Sequence, residues 1–185
     1  MVNVILWVVI AIIVIILLWL MIAYNLLVTF RNRIENAWSQ IDVQLKRRTD
    51  LIPNLVETVK GYAKHEKSTF EMVTKARTLM LSGNIKDKAK GDNMFTSALK
   101  SIFAVAEAYP KLQASDNFKM LQEELSGTES KIAYARQAYN DNVLNLNTAI
   151  QRFPTNIISG MFGFISKEYF KVEEADKKPV KVKFE

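Results

Sequence analysis

A chain of 185 residues without cysteine can hold neither a disulfide nor a thiolate-bound metal. Its net charge is +6, with Lys/Arg and Asp/Glu interspersed as on a solvated helical surface, which argues against nucleic acid as a partner. Beyond one apolar N-terminal stretch about 155 residues remain, enough for one domain.

From Val4 to Ala23 the chain has no charge, proline or glycine. About twenty apolar residues cross a hydrocarbon core as a helix, and helix is the only form in which a single segment pairs all its backbone groups in lipid. Trp7 and Trp19 stand near the two ends, where indole favours the interface. A cleaved secretory signal fits poorly. It would carry a basic start, a shorter apolar core and a small-x-small site, whereas no charged side chain precedes Arg31 and Met21-Ile22-Ala23 is a poor cleavage site. A buried core helix fits no better, because so short a chain could not wrap it on all sides. Arg31, Arg33, Lys46, Arg47 and Arg48 all follow the stretch, so the positive-inside rule predicts Met1 outside and everything after Phe30 in the cytoplasm.

From Ile34 to Met80 apolar residues recur every seven. One row is Ile34, Ile41, Arg48, Leu55, Tyr62, Thr69, Ala76; the other is Trp38, Leu45, Ile52, Val59, Glu66, Val73, Met80. The spacing is that of one face of a long helix. Pro53 removes a donor inside it, but the rows keep phase across the proline. The pattern therefore predicts a kink within one nearly continuous helix to about Leu81, roughly 75 Å beyond the anchor, with Gly61 a second soft point.

Ser82-Gly83-Asn84 predicts a stop, Asn84 to Asp92 a polar loop, and Asn93 to Tyr109 a second helix with Phe95, Leu99, Ile102, Ala106 and Tyr109 on one stripe. Pro110 ends it, and Ser115 or Asp116 can cap the next helix. That helix is read as running to Phe153. Phe118, Leu125, Ile132, Tyr139, Leu146 and Phe153 are spaced by seven, beside a row of Leu121, Thr128, Ala135, Asn142 and Ala149. Large residues on one row and small or polar ones on the other suit close packing against a partner helix, so Leu125, Ile132, Tyr139 and Leu146 form the expected packing seam. Asn142 in that seam would set register.

After Pro154 a short aromatic segment carries Ile157, Ile158, Met161, Phe162, Phe164, Ile165, Tyr169 and Phe170, with bends at Gly160 and Gly163. It is too apolar for a free tail and too short to span. The preferred reading is a packed cap or a contact between copies, centred on Met161, Phe162 and Phe164; the alternative is an interfacial foot with the following lysines on lipid phosphates. Residues 171–185, with Lys177, Lys178, Lys181 and Lys183, read as a flexible charged tail.

Recognisable chemistry is missing. The single histidine, His65, precedes Glu66, but Thr69 stands where H-E-x-x-H needs its second histidine, and Tyr62 stands where a Glu-x-x-His pair needs its glutamate. Glu123, Glu124 and Glu129 have no histidine or cationic partner at ligand spacing and read as solvated face. Phosphate-binding glycine loops and a nucleophile elbow are absent from the sequence. These features predict no enzyme, no cofactor and no metal.

The residues nonetheless resemble the LemA family over nearly the whole chain. The match begins at Tyr24-Asn25-Leu26-Leu27-Val28 with Arg31-Asn32, and runs through the block from Ala37 to Glu66 and Val73 to Arg77. It returns from Glu107 to Val143 and Asn147 to Asn156, then with Phe162-Gly163-Phe164 and Tyr169-Phe170. Gln113 stands where relatives often have lysine, and the segment after Ser82 is generic. The resemblance implies an all-α protein of the bacterial cytoplasmic (inner) membrane, with a single N-terminal transmembrane helix continuing into a long antiparallel helical bundle in the cytoplasm. It implies no reaction. The expected division is a transmembrane anchor over 1–30, a bundle over 31–170 and the tail over 171–185. Expected partners are membrane lipid, further copies of the chain in a homo-oligomer, and another membrane protein. Two functions follow: a membrane-tethered scaffold, or an accessory subunit of a membrane enzyme such as an envelope quality-control protease.

Overall fold

The computed structural model describes residues 2–62 and 67–171, which form helices and connecting turns with no strand. His65 and the tail from residue 172 onward lie outside the described residues. Helix α1 is Val2–Lys60, α2 Lys67–Met80, α3 Ile85–Glu107, α4 Pro110–Gln113, α5 Asp116–Gln151 and α6 Thr155–Met161. The described chain is all-α, with one helix long and apolar enough to cross a membrane. It falls into two compact units. One gathers residues 2–38 with 137–169, the other residues 39–136 with 170 and 171.

In the second unit, α1 continues through Pro53 without interruption. Ile41, Leu45, Ile52, Leu55 and Val59 are buried, which is the apolar stripe a core-facing helix needs. Lys88 pairs with Asp42, and Arg48 bonds to Asp92 and Thr96. Rising numbers on α3 thus meet rising numbers on α1, so the two run in the same direction. The link from Met80 to Ile85 is four residues, so α2 and α3 pack as a hairpin. Their contact is very close at Gly91, where a Cβ would fall 2.8 Å from both the Ala76 carbonyl oxygen and the Met80 nitrogen. Phe103 meets Phe118 edge to face at 6.1 Å, and Arg47 reaches Glu124 at 2.6 Å, so the first half of α5 returns along α3 and α1.

Four expectations are corrected here. The helix read as continuous to Leu81 ends at Lys60, where Tyr62 N–H closes a tight turn on the Val59 carbonyl at the flexible Gly61. The polar loop of residues 84–92 is the start of α3. The Asn84 side chain accepts from Lys86 N–H and caps the helix, while Ala89, Gly91 and Asp92 are buried. Pro110, read as the end of the second helix, opens the short α4, since α3 stops at Glu107. Finally, α5 ends at Gln151, so Phe153 lies outside it and is 81% exposed.

In the first unit, α1 between Ala23 and Trp38 faces the end of α5 and the segment after it. Ala23, Leu27, Ile34 and Ala37 are buried at helical spacing. Trp38 meets Tyr139 at 5.8 Å, and Tyr24 meets Phe162 at 4.8 Å. These contacts set the end of α5 and the segment after it against this part of α1.

Candidate functional site

The expected anchor residues divide sharply. Val4 and Trp7 are exposed, and an apolar eighteen-residue window of α1 is buried nowhere. Trp19 is half-buried and Ala23 is buried. Cover by the rest of the protein therefore begins at about Trp19, with Met21 and Ile22 still exposed, and Ala23 is the first buried residue of the same helix.

Around that transition the segment after α5 closes on α1. The Phe153–Pro154 bond is cis, and Thr155–Met161 forms the short helix α6, with Ile158 and Ser159 buried. Gly163 takes φ +70°, a backbone conformation that glycine adopts without penalty, and turns the chain into an irregular strap. The Phe162 ring lies 4.8 Å and the Phe164 ring 5.9 Å from the Tyr24 ring; the Arg31 guanidinium sits 5.7 Å from the Phe164 centroid. The strap is pinned from α5. Asn147 donates to the Lys167 carbonyl and accepts from Lys167 N–H, both at 2.9 Å, and the Tyr139 hydroxyl donates to the Glu168 carbonyl at 2.9 Å. Burial, and then the nearby negative charge of Glu168, raises the Tyr139 phenol above its ordinary pKa.

Of the expected seam, Leu125, Ile132, Tyr139 and Leu146 are each almost fully buried. Asn142 is only half-buried and donates to the Ala138 carbonyl one turn back; Val143 takes the buried place beside it. Asn142 thus bonds within its own helix instead of setting register across a seam. Of the expected cap, Phe162 and Phe164 pack on Tyr24, whereas Met161 is exposed.

The second unit holds a polar cluster that sequence reasoning missed. Arg48 is wholly buried. Its Nη1 donates to Asp92, its Nη2 donates to Thr96 Oγ1 at 3.0 Å and lies 3.6 Å from a Glu129 oxygen, and its guanidinium stands 4.9 Å over the Phe95 ring. Its Nε, also buried, meets no partner among the described residues. Glu129 and Glu124, read as purely solvated, thus each face an arginine. One signal was visible: Arg48 occupies a core position in the apolar row between Ile41 and Leu55. An open groove of about 440 Å³ is lined by Asn54, Glu57, Thr58, Asn117, Met120 and Leu121, with one carboxylate and no base among these described residues. Among the described residues no three His, Cys, Asp or Glu side chains converge as a metal site.

A model of the LemA family matches residues 37–184. Among characterised relatives, magnetosome protein MamQ 2 of Paramagnetospirillum magneticum is 29% identical over 87% of this chain and 69% of its own length. Magnetosome protein MamQ of Magnetospirillum gryphiswaldense is 27% identical over the same shares. Protein LemA of Metamycoplasma hominis is 26% identical over 83% of this chain and 71% of its own length. Together with the bare apolar helix, these matches describe a membrane-associated helical protein, and the chain belongs to the LemA family.

Proposed function

We propose that the protein is a non-enzymatic scaffold anchored by residues 1–30 in the bacterial inner membrane. Its N-terminus lies outside, its helical part (31–170) lies in the cytoplasm, and it associates with copies of itself to organise membrane-protein partners. The observation that carries the reading is α1 itself, which is bare and apolar at its start and, without a break, a core-packed helix at its end. Apolar residues left exposed support self-association: Met120 on α5 and Val43 on α1. Anchoring in one plane raises the effective concentration of such weak surfaces. Two relatives are named for the magnetosome and not for a reaction, which fits a structural role.

The test is extraction of the full chain in mild detergent after light crosslinking, followed by identification of what travels with it. A homo-oligomer is the expected result. A monomer at micromolar concentration in several detergents would remove self-association, and one stoichiometric membrane enzyme would replace the scaffold with an accessory subunit. A reporter fused after Glu185 should be active only in the cytoplasm, because Arg31 and Arg33 follow the span at once.

A further inference from the structure

We infer that residues 153–165 form a second membrane contact, an interfacial foot that lies in the lipid headgroup layer beside the end of the anchor. Phe153, Ile157, Met161, Phe162 and Ile165 are each more than half exposed, although they sit within thirteen residues of chain. Isolated exposed apolar side chains are ordinary; five concentrated on one short segment mark a surface that meets something apolar.

The place of attachment says what that is. The segment is held on α1 by the Phe162 and Phe164 rings against Tyr24. Tyr24 follows Ala23, the last residue of the apolar stretch, and stands only about 7.5 Å along the helix from Trp19. An interfacial element sinks its apolar face about 5–10 Å into the boundary between headgroups and acyl chains. The foot is therefore fixed at the depth where such an element works. Cations frame it. Arg31 sits over Phe164, and Arg152 and Lys167 are exposed on the flanking chain, placed for lipid phosphates. Cap and foot are then two sides of one segment: Ile158 and Ser159 pack inward, while the five exposed residues enter lipid.

The proposal rests on the anchor of the reading above but not on scaffolding or self-association. The natural chain has no cysteine, so single cysteines can be placed at will. Met161→Cys and Ile165→Cys, each carrying an environment-sensitive fluorophore, are reconstituted as full chains in vesicles of equal parts phosphatidylcholine and phosphatidylglycerol. Tyr134→Cys, exposed on α5, is the control. Flotation with the vesicles reports the anchor separately. The expected result is quenching by shallow acyl-chain nitroxides about twofold or more greater at 161 and 165 than at 134, with protection from aqueous iodide. Quenching at 161 and 165 equal to that at 134 overturns the foot. Self-quenching between labelled copies without lipid quenching overturns it too, and assigns the surface to a second copy.

Discussion

The guanidinium of Arg48 donates to the carboxylate of Asp92, and neither side chain reaches water: Arg48 is 0% and Asp92 5% exposed. The pair joins α1 to α3 in the middle of a unit otherwise filled by Leu45, Ile52, Phe95 and Leu125. A buried pair of this kind is weak evidence for net stability, but breaking it by removing one partner leaves an unpaired charge in a place with little water. Asp92→Ala should therefore destabilise the full chain by about 3 kcal/mol or more in chemical unfolding followed by circular dichroism. The double variant Arg48→Met with Asp92→Leu should recover most of that loss. A single variant within about 0.5 kcal/mol of the parent would show that Glu129, 3.6 Å from Arg48, replaces Asp92 fully.

Gly91 and Gly127 make an internal comparison. A Cβ at Gly91 meets backbone of α2 at 2.8 Å, and backbone cannot swing aside. Gly91→Ala should push α2 and α3 apart and lower stability by about 1–3 kcal/mol, as overpacking does. Gly127, inside α5, has no atom within 4 Å of its would-be Cβ. Gly127→Ala should raise stability by about 0.5–1 kcal/mol through helix propensity alone. Equal effects of the two substitutions would mean that the α2–α3 approach is looser than 2.8 Å implies.

These two sites also explain where sequence reading succeeded and failed. The seven-residue rows of α5 and the apolar start of α1 were legible because each is a local, periodic signal: Leu125, Ile132, Tyr139 and Leu146 repeat with the helix itself. The phase of the α1 rows across Pro53 was also informative, since the helix passes through the proline. The same phase misled beyond Lys60. Val73, Ala76 and Met80 belong to a separate helix, whose stripe happens to continue the count across the turn at Gly61. The charged stretch Lys86-Asp87-Lys88 with Lys90 and Asp92 looked solvated because charge was weighed one residue at a time. In the fold, Lys88 meets Asp42 and Asp92 meets Arg48, partners more than forty residues away. Such pairing leaves no local trace in sequence, apart from the single arginine in an apolar row.

Tyr139 offers a test by pH. Its phenol is raised by burial first and by Glu168 second, so the folded protein holds that proton more tightly than the unfolded chain, whose phenol titrates near 10. The native state then binds more protons through this range, and stability must fall as pH rises. The contribution is fully present below about pH 10 and is lost between that value and the higher folded one. Alkaline unfolding should accordingly be steeper in the parent than in Tyr139→Phe, although the variant starts lower by about 1 kcal/mol because it loses the bond to the Glu168 carbonyl. Parallel curves for the two proteins above pH 10 would exclude this linkage.

Asn147 holds the strap by a pair of bonds that only an amide can make, donating to the Lys167 carbonyl and accepting from the Lys167 N–H. Asn147→Asp keeps the acceptor but replaces the donor with a charged oxygen aimed at a carbonyl, which turns one attraction into repulsion. The main body of α5 is held elsewhere, by buried Tyr139, Val143 and Leu146, so the damage should stay local. Hydrogen exchange should show amides from Gly163 to Tyr169 opening about tenfold or more faster, the equivalent of losing about 1.4 kcal/mol of local stability, with amides near Leu125 and Ile132 unchanged. Because Phe162 and Phe164 reach Tyr24 from the same strap, a fluorophore at Met161→Cys should at the same time leave the lipid and gain access to aqueous iodide. Unchanged exchange over residues 163–169 would mean that the Tyr24 rings alone hold the segment. A global rise in exchange across α5 would mean that the strap is part of the cooperative core and not a separable brace for the foot.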